Sequence, residues 1–352
     1  MIIMPTILGI ESTAHTFGVA VVRNGKVLSN RKKVFTTGEG EGGMIPTEVA
    51  KFHFNNKHEI YFEALDKSGI KEEDVDAVAF SQGPGLAPCL LEGMKFTKEI
   101  AKKLKIPVVP VNHCVAHLEI GRLTSAIKGT KVPLINPSFK IGVKPDDPVM
   151  LYVSGANTQI IAYASGKYRI FGETLDIGVG NFIDTFGRYA GIGFPAGPKI
   201  EQLATGGEKY IELPYKVKGM DIALSGILTN LKQKLESQKY QLEDLAYSLQ
   251  ETIFAMLVET AERALAHTGK KELLLGGGVA CNSRLQEMCR IMCTERGAKF
   301  FAPEKQFLVD NAGMIAYLGE TMFKKNLGKE DLDKIDIKPR QRADEVEVSW
   351  RN

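Results

Sequence analysis

The chain has 352 residues, of which 44% are hydrophobic and 25% are charged, a balance that excludes a disordered chain and indicates a soluble α/β enzyme. At about 150 residues per domain, this length allows two domains with separate cores. The net charge of +3 gives no overall attraction for nucleic acid, and no segment approaches the roughly 18 consecutive apolar residues of a transmembrane helix.

The amino end predicts a three-stranded meander rather than a secretory signal. A signal begins with basic residues before an apolar stretch, whereas the first basic residue here is Arg23. Apolar runs over Thr6–Ile10 and Phe17–Val22 flank a polar turn, and a second turn at Asn24 and Gly25 leads into a further strand.

The next segments predict a strand, a glycine turn and a helix. Val75–Phe80 is a short apolar run, Ser81–Gly85 carries glycine and proline, and Leu86–Leu104 has helical periodicity. The lysines between Lys95 and Lys105 lie on one face of this helix and offer a basic surface to nucleic acid or a protein partner.

Two histidines follow at a spacing of one helical turn. Val108–Val111 predicts a strand and Asn112 an N-cap, so His113 and His117 lie on the same face of the helix that starts there. This spacing suits chelation of one metal ion, although core or surface histidines also occur with it. Residue 114 is Cys rather than the Glu of the zinc-protease signature, which argues against a metallopeptidase.

The second half of the chain repeats the first. A meander, then a strand, a glycine turn and a helix recur in the same order, at Val149–Val153, Ile160–Tyr163, Glu272–Leu275, Gly276–Gly278 and Val279–Arg296. The proline-rich segment Lys128–Pro148 predicts a linker or surface loop between the halves. We therefore expect a duplicated α/β fold whose halves face each other across a cleft.

Small polar residues and glycines in the turns are suited to phosphate binding. Backbone N–H groups at Gly276–Gly278 meet the start of a helix, where an anion or a nucleotide can approach closely. Hydroxyl and amide side chains in the two hairpin turns could grip a phosphate from both sides, at Ser12, Thr13, Ser154, Asn157 and Thr158. Plain tight hairpins explain the same residues equally well.

Several oxygen-bearing side chains are candidates for the chemistry. Asp310 could be a third metal ligand, or only the cap of the last helix, and Tyr152 could supply a phenolate. Glu11 is a candidate general base, although it could equally order its turn. Carboxylates that could accept hydrogen bonds from ribose, or simply be solvated, are Asp176, Asp184 and Glu201.

The cysteines and the charged end of the chain carry weaker signals. Five cysteines without a CxxC motif predict reduced thiols and a cytoplasmic protein. Cys289 and Cys293 could bind a metal but are better suited to a buried apolar site. Lys338–Arg342 is the densest basic cluster, and we expect a solvated tail there that could contact phosphates.

A family resemblance rests on seven motifs spread over nearly the whole chain: Gly9–Val19, Gln82–Leu86, Asn112–His117, Tyr152–Gly155, Gly172–Gly178, Gly276–Asn282 and Asp310–Ala312. Together they resemble the threonylcarbamoyladenosine-forming family. The resemblance is to its archaeal and eukaryotic branch, the catalytic subunit of the KEOPS complex, formerly described as an O-sialoglycoprotein endopeptidase.

The resemblance implies a fold and a reaction. The fold is the duplicated actin, Hsp70 and sugar-kinase type (ASKHA), with one lobe over residues 1–146, a second over 147–327 and a charged tail over 328–352. The reaction passes a threonylcarbamoyl group from threonylcarbamoyl-AMP to the exocyclic amine of the adenosine beside the anticodon, in tRNAs that read codons beginning with A.

The resemblance also implies site residues and partners. The ligands of one metal ion, iron being favoured over zinc, would be His113, His117, Tyr152 and Asp310. Threonylcarbamoyl-AMP, or ATP or ADP, would meet Tyr152, Val153, Ser154, Gly155, Ala156, Asp184, Gly197, Glu201 and Asn282. The implied partners are tRNA, a small atypical kinase, two small accessory proteins and an upstream synthase that makes the adenylate, with no membrane involved.

Some positions depart from the family pattern. Ala156 stands where the family has a second glycine, Thr47 where it has Arg, and Phe54 where it has a second histidine after His53. Residues 129–144 look inserted. Two alternatives remain open at this point: an ATPase or kinase of the same fold, and a non-enzymatic protein that binds nucleic acid or a partner through its basic segments.

Overall fold

The computed structural model describes residues 4–38, 44–122 and 145–351. In chain order its strands are β1 (Thr6–Glu11), β2 (Thr16–Arg23), β3 (Lys26–Val34), β4 (Ala77–Gly83), β5 (Val108–Asn112), β6 (Val149–Val153), β7 (Thr158–Ala164), β8 (Lys167–Glu173), β9 (Val217–Lys218), β10 (Asp221–Ile222), β11 (Glu272–Gly276) and β12 (Lys299–Phe301).

The helices are α1 (Pro46–Ser68), α2 (Ala87–Leu104), α3 (His113–Gly121), α4 (Val179–Tyr189), α5 (Gly197–Ala204), α6 (Ser225–Glu236), α7 (Leu242–Thr268), α8 (Ser283–Glu295), α9 (Lys305–Leu308) and α10 (Ala312–Phe323). Short 3₁₀ turns are Glu72–Asp74, Gly278–Cys281, Leu332–Lys334 and Ala343–Glu345. None of the helices in the described ranges has the length and apolar character needed to cross a bilayer.

The described residues form two compact units. The first comprises residues 4–35, 45–122 and 310–351, and the second comprises residues 36–38, 44 and 145–309. The expected division after residue 327 differs from this one, because α10 packs on β1, β2 and β4 and therefore belongs to the first unit. The predicted linker and the apparent insertion at 129–144 fall almost wholly outside the described residues.

The first unit is built on a five-stranded sheet in the order β3-β2-β1-β4-β5. The three strands of the meander are antiparallel, whereas β1, β4 and β5 run parallel. All six residues of β1 are buried, because helices cover both faces of the sheet. Leu8 and Ile10 face the core formed with α1 and α2, while Gly9 lies against α10 so closely that a Cβ would be 2.5 Å from the Ala316 nitrogen.

The second unit repeats this topology with a sheet in the order β12-β11-β6-β7-β8. Its meander, β6 to β8, is again antiparallel, and β6 pairs in parallel with β11, which pairs in parallel with β12. Its core joins residues of β6 and β11 to apolar faces of α4 to α8. The duplication and the order of its predicted elements are confirmed, with two differences. The strand predicted over Val75–Phe80 is β4, Ala77–Gly83, so it includes residues 81–83 of the predicted turn.

The predicted helix over Val279–Arg296 is in fact two elements. A 3₁₀ turn covers Gly278–Cys281, and α8 then begins at Ser283. The reason is Asn282, whose side-chain oxygen accepts hydrogen bonds from the backbone N–H groups of Arg284 and Leu285 and so starts a new helix.

The end of the chain, residues 328–351, is named here the C-terminal segment. It packs on the first unit rather than extending as the solvated tail that the charge pattern predicted. Ile335 is buried in the same core as Leu8, and the backbone of Lys329 exchanges two hydrogen bonds with that of Val108 at the start of β5. Apolar residues spaced among the charges, including Val348 and Trp350, are what anchor it.

Candidate functional site

The paired histidines lie where the sequence places them, at the start of α3. The side-chain oxygen of Asn112 accepts a hydrogen bond from the Val115 N–H at 3.0 Å, which caps the helix as predicted. His113 and His117 are one turn apart, both are buried, and their ring centroids are 4.8 Å apart. The helix therefore presents two imidazoles to one point.

Asp310 faces these imidazoles. Its Oδ1 lies 3.3 Å from His113 Nε2 and 3.5 Å from His117 Nε2. The cap of α10 is instead Asn311, whose side chain accepts from the Met314 N–H at 3.0 Å. The alternative in which Asp310 merely caps the helix is therefore wrong for this chain. Lys32 Nζ donates to the Asp310 carbonyl at 2.9 Å and fixes the backbone that carries the carboxylate.

Glu11, the last residue of β1, is fully buried behind His113. Its Oε2 lies 3.0 Å from His113 Nδ1, and its Oε1 accepts hydrogen bonds from the N–H and hydroxyl of Thr13 at 2.7 and 2.5 Å. Both carboxylate oxygens are thus engaged within the protein. With a proton on Nδ1 shared with Glu11, His113 turns Nε2 toward Asp310, so this geometry suits an orienting role rather than that of a general base.

The charges of this cluster perturb one another. Burial opposes a charge on His113, but Glu11 and Asp310 outweigh it and hold the pKa of His113 well above 6.5. Burial likewise opposes ionisation of Asp310, yet hydrogen bonds from His113 and His117 keep its pKa well below 3.8. Burial lowers the pKa of His117. One fully buried carboxylate, Glu11, and one partly buried carboxylate, Asp310, therefore face neighbouring imidazoles, an arrangement with an affinity for a cation.

The residues fit a metal ion. One ligand atom from each of His113, His117 and Asp310 lies within 4.8 Å of the other two. Two imidazole nitrogens and a carboxylate oxygen suit iron or zinc and leave coordination positions open. Tyr152, the expected fourth ligand, is buried near the end of β6 in the second unit, so its part in this set stays a prediction.

In the second unit, two turns that contain nucleotide-site candidates lie beside the start of α4. The carbonyls of Ser154 and Gly155 accept hydrogen bonds from the N–H groups of Gly180 and Asn181 at 3.0 and 2.8 Å, which ties this hairpin turn to the start of α4. Gly277, with φ of +91°, passes the end of β6 so closely that a Cβ would lie 2.3 Å from the Val153 carbonyl. The backbone of the hairpin turn is therefore in close contact with both the start of α4 and the glycine turn after β11.

The turn residue Ala156, where the resemblance led us to expect glycine, is exposed, so its methyl group is accommodated without displacing a neighbour from the core. The crowded position is instead Gly178, where a Cβ would lie 2.5 Å from the carbonyl of Ala156. The sequence pattern did not single out Gly178 or Gly180 individually, although Gly178 ends one of the family motifs.

Four further candidates lie together around the starts of α5 and α8. Asp184 accepts a hydrogen bond from the Ala196 N–H at 2.8 Å, directly before Gly197 at the start of α5. On the same helix, Glu201 accepts from the N–H and hydroxyl of Ser283 at 2.8 and 2.6 Å. Asn282 precedes Ser283 and donates to Gln250 Oε1 at 2.8 Å. Ser283 and Gln250, which the sequence reasoning missed, hold this group together.

Other candidates have structural roles. Asp176 accepts hydrogen bonds from the N–H groups of Leu224 and Ser225 at the start of α6, and although burial opposes ionisation, these bonds lower its pKa. Cys289 and Cys293 lie in the apolar core of the second unit, where burial raises the pKa of both thiols, that of Cys293 to about 12, as expected for buried apolar residues.

The duplicated topology defines a class of protein. The chain is similar to the crystal structure of HypF from Thermococcus kodakarensis, with a TM-score of 0.59 at 17% identity, over 94% of this chain and 49% of that one. This likeness concerns the fold alone and confirms the duplicated ASKHA-type architecture expected from the sequence.

Sequence similarity identifies the family. Residues 26–317 match the model of the TsaD family, described as tRNA N6-adenosine threonylcarbamoyltransferase. The chain is 51% identical over 343 residues to the protein of that name from Thermococcus kodakarensis, covering 97% of this chain and 99% of the relative. It is 44% identical over 355 residues to the one from Xenopus laevis, covering 99% and 100%. The chain belongs to this family.

Proposed function

We propose that this chain transfers the threonylcarbamoyl group of threonylcarbamoyl-AMP to the exocyclic amine of the adenosine next to the anticodon, in tRNAs that read codons beginning with A. The observation that carries the proposal is the convergence of His113, His117 and Asp310 in a chain of this family. A kinase or ATPase of the same fold would leave this buried cluster without a role.

The reaction needs an activated donor and an aligned acceptor. The lone pair of an exocyclic adenine amine is delocalised into the ring, which makes the amine a poor nucleophile. The carbon–nitrogen bond forms at the carbamoyl carbon as the bond to the phosphate oxygen breaks, the amine loses a proton, and AMP leaves. Holding the two reactants in line supplies much of the acceleration, so no side-chain nucleophile is required.

The metal, with iron favoured over zinc, would be held by His113, His117, Asp310 and Tyr152. When bound, it would supply Lewis-acid polarisation and an anchor for the donor. Two contacts support this proposal for His113 and Asp310. Glu11 lies 3.0 Å from His113 Nδ1, where it would hold a proton so that Nε2 is free to bind the metal, and Lys32 donates a hydrogen bond to the backbone carbonyl of Asp310.

The donor's nucleotide is proposed to lie on the two turns beside the start of α4 in the second unit. The turn from Tyr152 to Ala156 offers backbone groups to phosphate, while Asp184, Gly197, Glu201 and Asn282 would surround the nucleoside. Carboxylates suit ribose hydroxyls, and glycine at the start of α5 has no atom within 4 Å of where a Cβ would be, leaving space for a ligand.

The proposed partners follow from the substrate. An upstream synthase would supply threonylcarbamoyl-AMP, and we propose assembly with the KEOPS subunits, a small atypical kinase and two small accessory proteins, in the cytoplasm where tRNA is modified. A polyanionic substrate needs basic surface, and a net charge of +3 leaves much of it to partners.

The test is reconstitution of the modification with a matched pair of histidine variants. The chain is combined with tRNA, threonine, bicarbonate, ATP, the synthase and the partner subunits, and the modified nucleoside is quantified by mass spectrometry. His113→Ala should abolish the product, whereas His267→Ala, an exposed histidine of α7, should not. If His113→Ala retains full activity, or if wild type hydrolyses ATP but yields no modified nucleoside, the proposal fails.

A further inference from the structure

Helix α3 carries both imidazoles but is too short to hold its own shape. It spans nine residues, His113–Gly121, and isolated helices of that length are marginal in water. All nine residues are buried, and α10 packs along the helix. The positions of His113 and His117 therefore depend on tertiary contacts, including those at the two ends of the helix.

The C-terminal segment contacts the amino end of α3 through Gln341. The side-chain oxygen of Asn112 caps the helix, and its amide group donates to Gln341 Oε1 at 3.2 Å. Gln341 thus favours the amide orientation in which the oxygen of Asn112 points at the helix. The next residue after this cap is His113.

The same segment contacts the carboxyl end of α3 through Trp350. The indole Nε1–H donates to Glu119 Oε1 at 2.9 Å, and both side chains are buried, at 8% and 5% exposure. The other oxygen of Glu119 pairs with Arg122 at 3.1 Å. Glu119 is two residues after His117, so this contact holds the helical turn that carries His117.

Between these contacts the C-terminal segment is tied to the turn after β4. The Lys338 N–H donates to the Gln82 carbonyl at 2.8 Å, and the Gly85 N–H donates to the Pro339 carbonyl at 3.1 Å. At Gly83, a Cβ would lie 1.9 Å from the Lys338 carbonyl, so only glycine permits this approach. The C-terminal segment is therefore packed tightly on the first unit, so its contacts with α3 can restrain that helix.

We propose that Gln341 and Trp350 are positioning residues that hold the two ends of α3 and thereby set the geometry of the His113–His117–Asp310 cluster. The role at the metal rests on the proposed function, whereas the restraint of α3 does not.

The first measurement needs neither metal nor tRNA. Amide hydrogen exchange of α3 is followed in the full metal-free chain for wild type, Trp350→Phe, Gln341→Leu and the double variant. Each lost hydrogen bond should accelerate exchange in α3 about fivefold, while α1 and the second unit stay unchanged. Cobalt(II) affinity of the same proteins, read from its visible absorption, should fall about tenfold in the double variant.

Conservative variants separate restraint from packing. Gln341→Glu and Glu119→Gln keep an acceptor for Asn112 and Trp350, and both should retain α3 protection. Lys334→Ala, an exposed residue of the same segment, is the control. Wild-type protection of α3 in the double variant overturns the proposal, and faster exchange with unchanged cobalt affinity overturns its role at the metal. A wild-type chain that protects α3 but neither binds metal nor modifies tRNA would count against the proposed function alone.

Discussion

At the scale of single residues, Glu11 shows how one buried carboxylate can orient a histidine that is proposed to bind a metal. It lies outside the group of three ligand atoms, yet it fixes the ring of His113 from behind. Such outer carboxylates raise the basicity of an imidazole and prevent it from rotating. The sequence identified Glu11 as a polar residue in a turn but could not show that its two oxygens are already occupied.

Replacing Glu11 should weaken metal binding without dismantling the core. Glu11→Gln keeps the size of the side chain but removes the charge that faces His113, so we expect the affinity for iron or cobalt to fall about 10- to 100-fold. Titration of the metal-free protein with iron or cobalt measures this affinity. Glu73→Gln, an exposed carboxylate, should bind as wild type. Unchanged affinity in Glu11→Gln would show that Glu11 does not tune His113.

His53 makes the stability of the first unit depend on pH. Its side chain is fully buried beside Phe17, and burial lowers its pKa from 6.5 to about 4. Between pH 6.5 and about 4, His53 is protonated in the unfolded chain but neutral in the folded chain. The contribution of neutral His53 to stability is therefore fully present above pH 6.5 and is lost as the pH falls toward 4. The loss should reach about 3 kcal/mol.

The measurement is the free energy of unfolding by urea between pH 7 and 4. Removing the titrating ring in His53→Leu should flatten the pH slope relative to wild type, whatever the variant's absolute stability. His58→Gln, an exposed position on the same helix, serves as the control. Equal slopes for wild type and His53→Leu would contradict the assignment.

At the scale of elements, glycines decide how closely helices pack around the nucleotide candidates. In α4, a Cβ at Gly187 would lie 2.3 Å from the Ala196 Cβ, just before α5 begins. In α6, Gly226 has no atom within 4 Å of its Cβ position. Both glycines are helical, so the two positions differ in their surroundings rather than in backbone conformation.

Alanine at these two positions should have opposite effects. Gly187→Ala should separate α4 from α5 and destabilise the second unit by about 1–3 kcal/mol. Gly226→Ala should be neutral or stabilise by up to about 1 kcal/mol, because alanine favours helix over glycine. Thermal unfolding of both variants is the test, and equal destabilisation would refute close packing as the cause.

The elements themselves were largely predictable from the sequence. Apolar runs bounded by small polar turns gave both meanders, and Asn112 gave the start of α3, since these signals are local. The break before α8 was missed because Asn282 follows an apolar stretch that is equally compatible with a continuous helix. Which polar side chain caps a helix and which faces a histidine, as with Asn311 and Asp310, depends on packing that no local pattern encodes.

At the scale of the whole molecule, the duplication was visible in the order of segments, but membership of the two units was not. Helix α10 follows the second half in sequence and belongs with the first in space, because its small residues pack on β1. The charged end of the chain was expected in solvent for a related reason. Long-range burial of a few apolar residues outweighed a composition that locally resembles a tail.

The division predicts that metal stabilises the first unit more than the second. Among the described residues, His113, His117 and Asp310 all lie in the first unit. At a free metal concentration 100 times the dissociation constant, binding should add about 2.7 kcal/mol to its stability. Chelation should therefore accelerate amide exchange most in α3 and α10, less in β6, which carries the proposed fourth ligand Tyr152, and not in α6, which carries no proposed ligand. Equal effects in both units would contradict this assignment.

The burial of Trp350 against α3 has a practical consequence, since the chain contains one tryptophan. Intrinsic fluorescence of the unlabelled protein comes mainly from a single indole that touches Glu119, on the helix bearing both imidazoles. Its emission colour and its quenching by dissolved iodide would follow the carboxyl end of that helix in real time. The molecule thus contains its own optical reporter, and rapid mixing with a metal salt would need no dye.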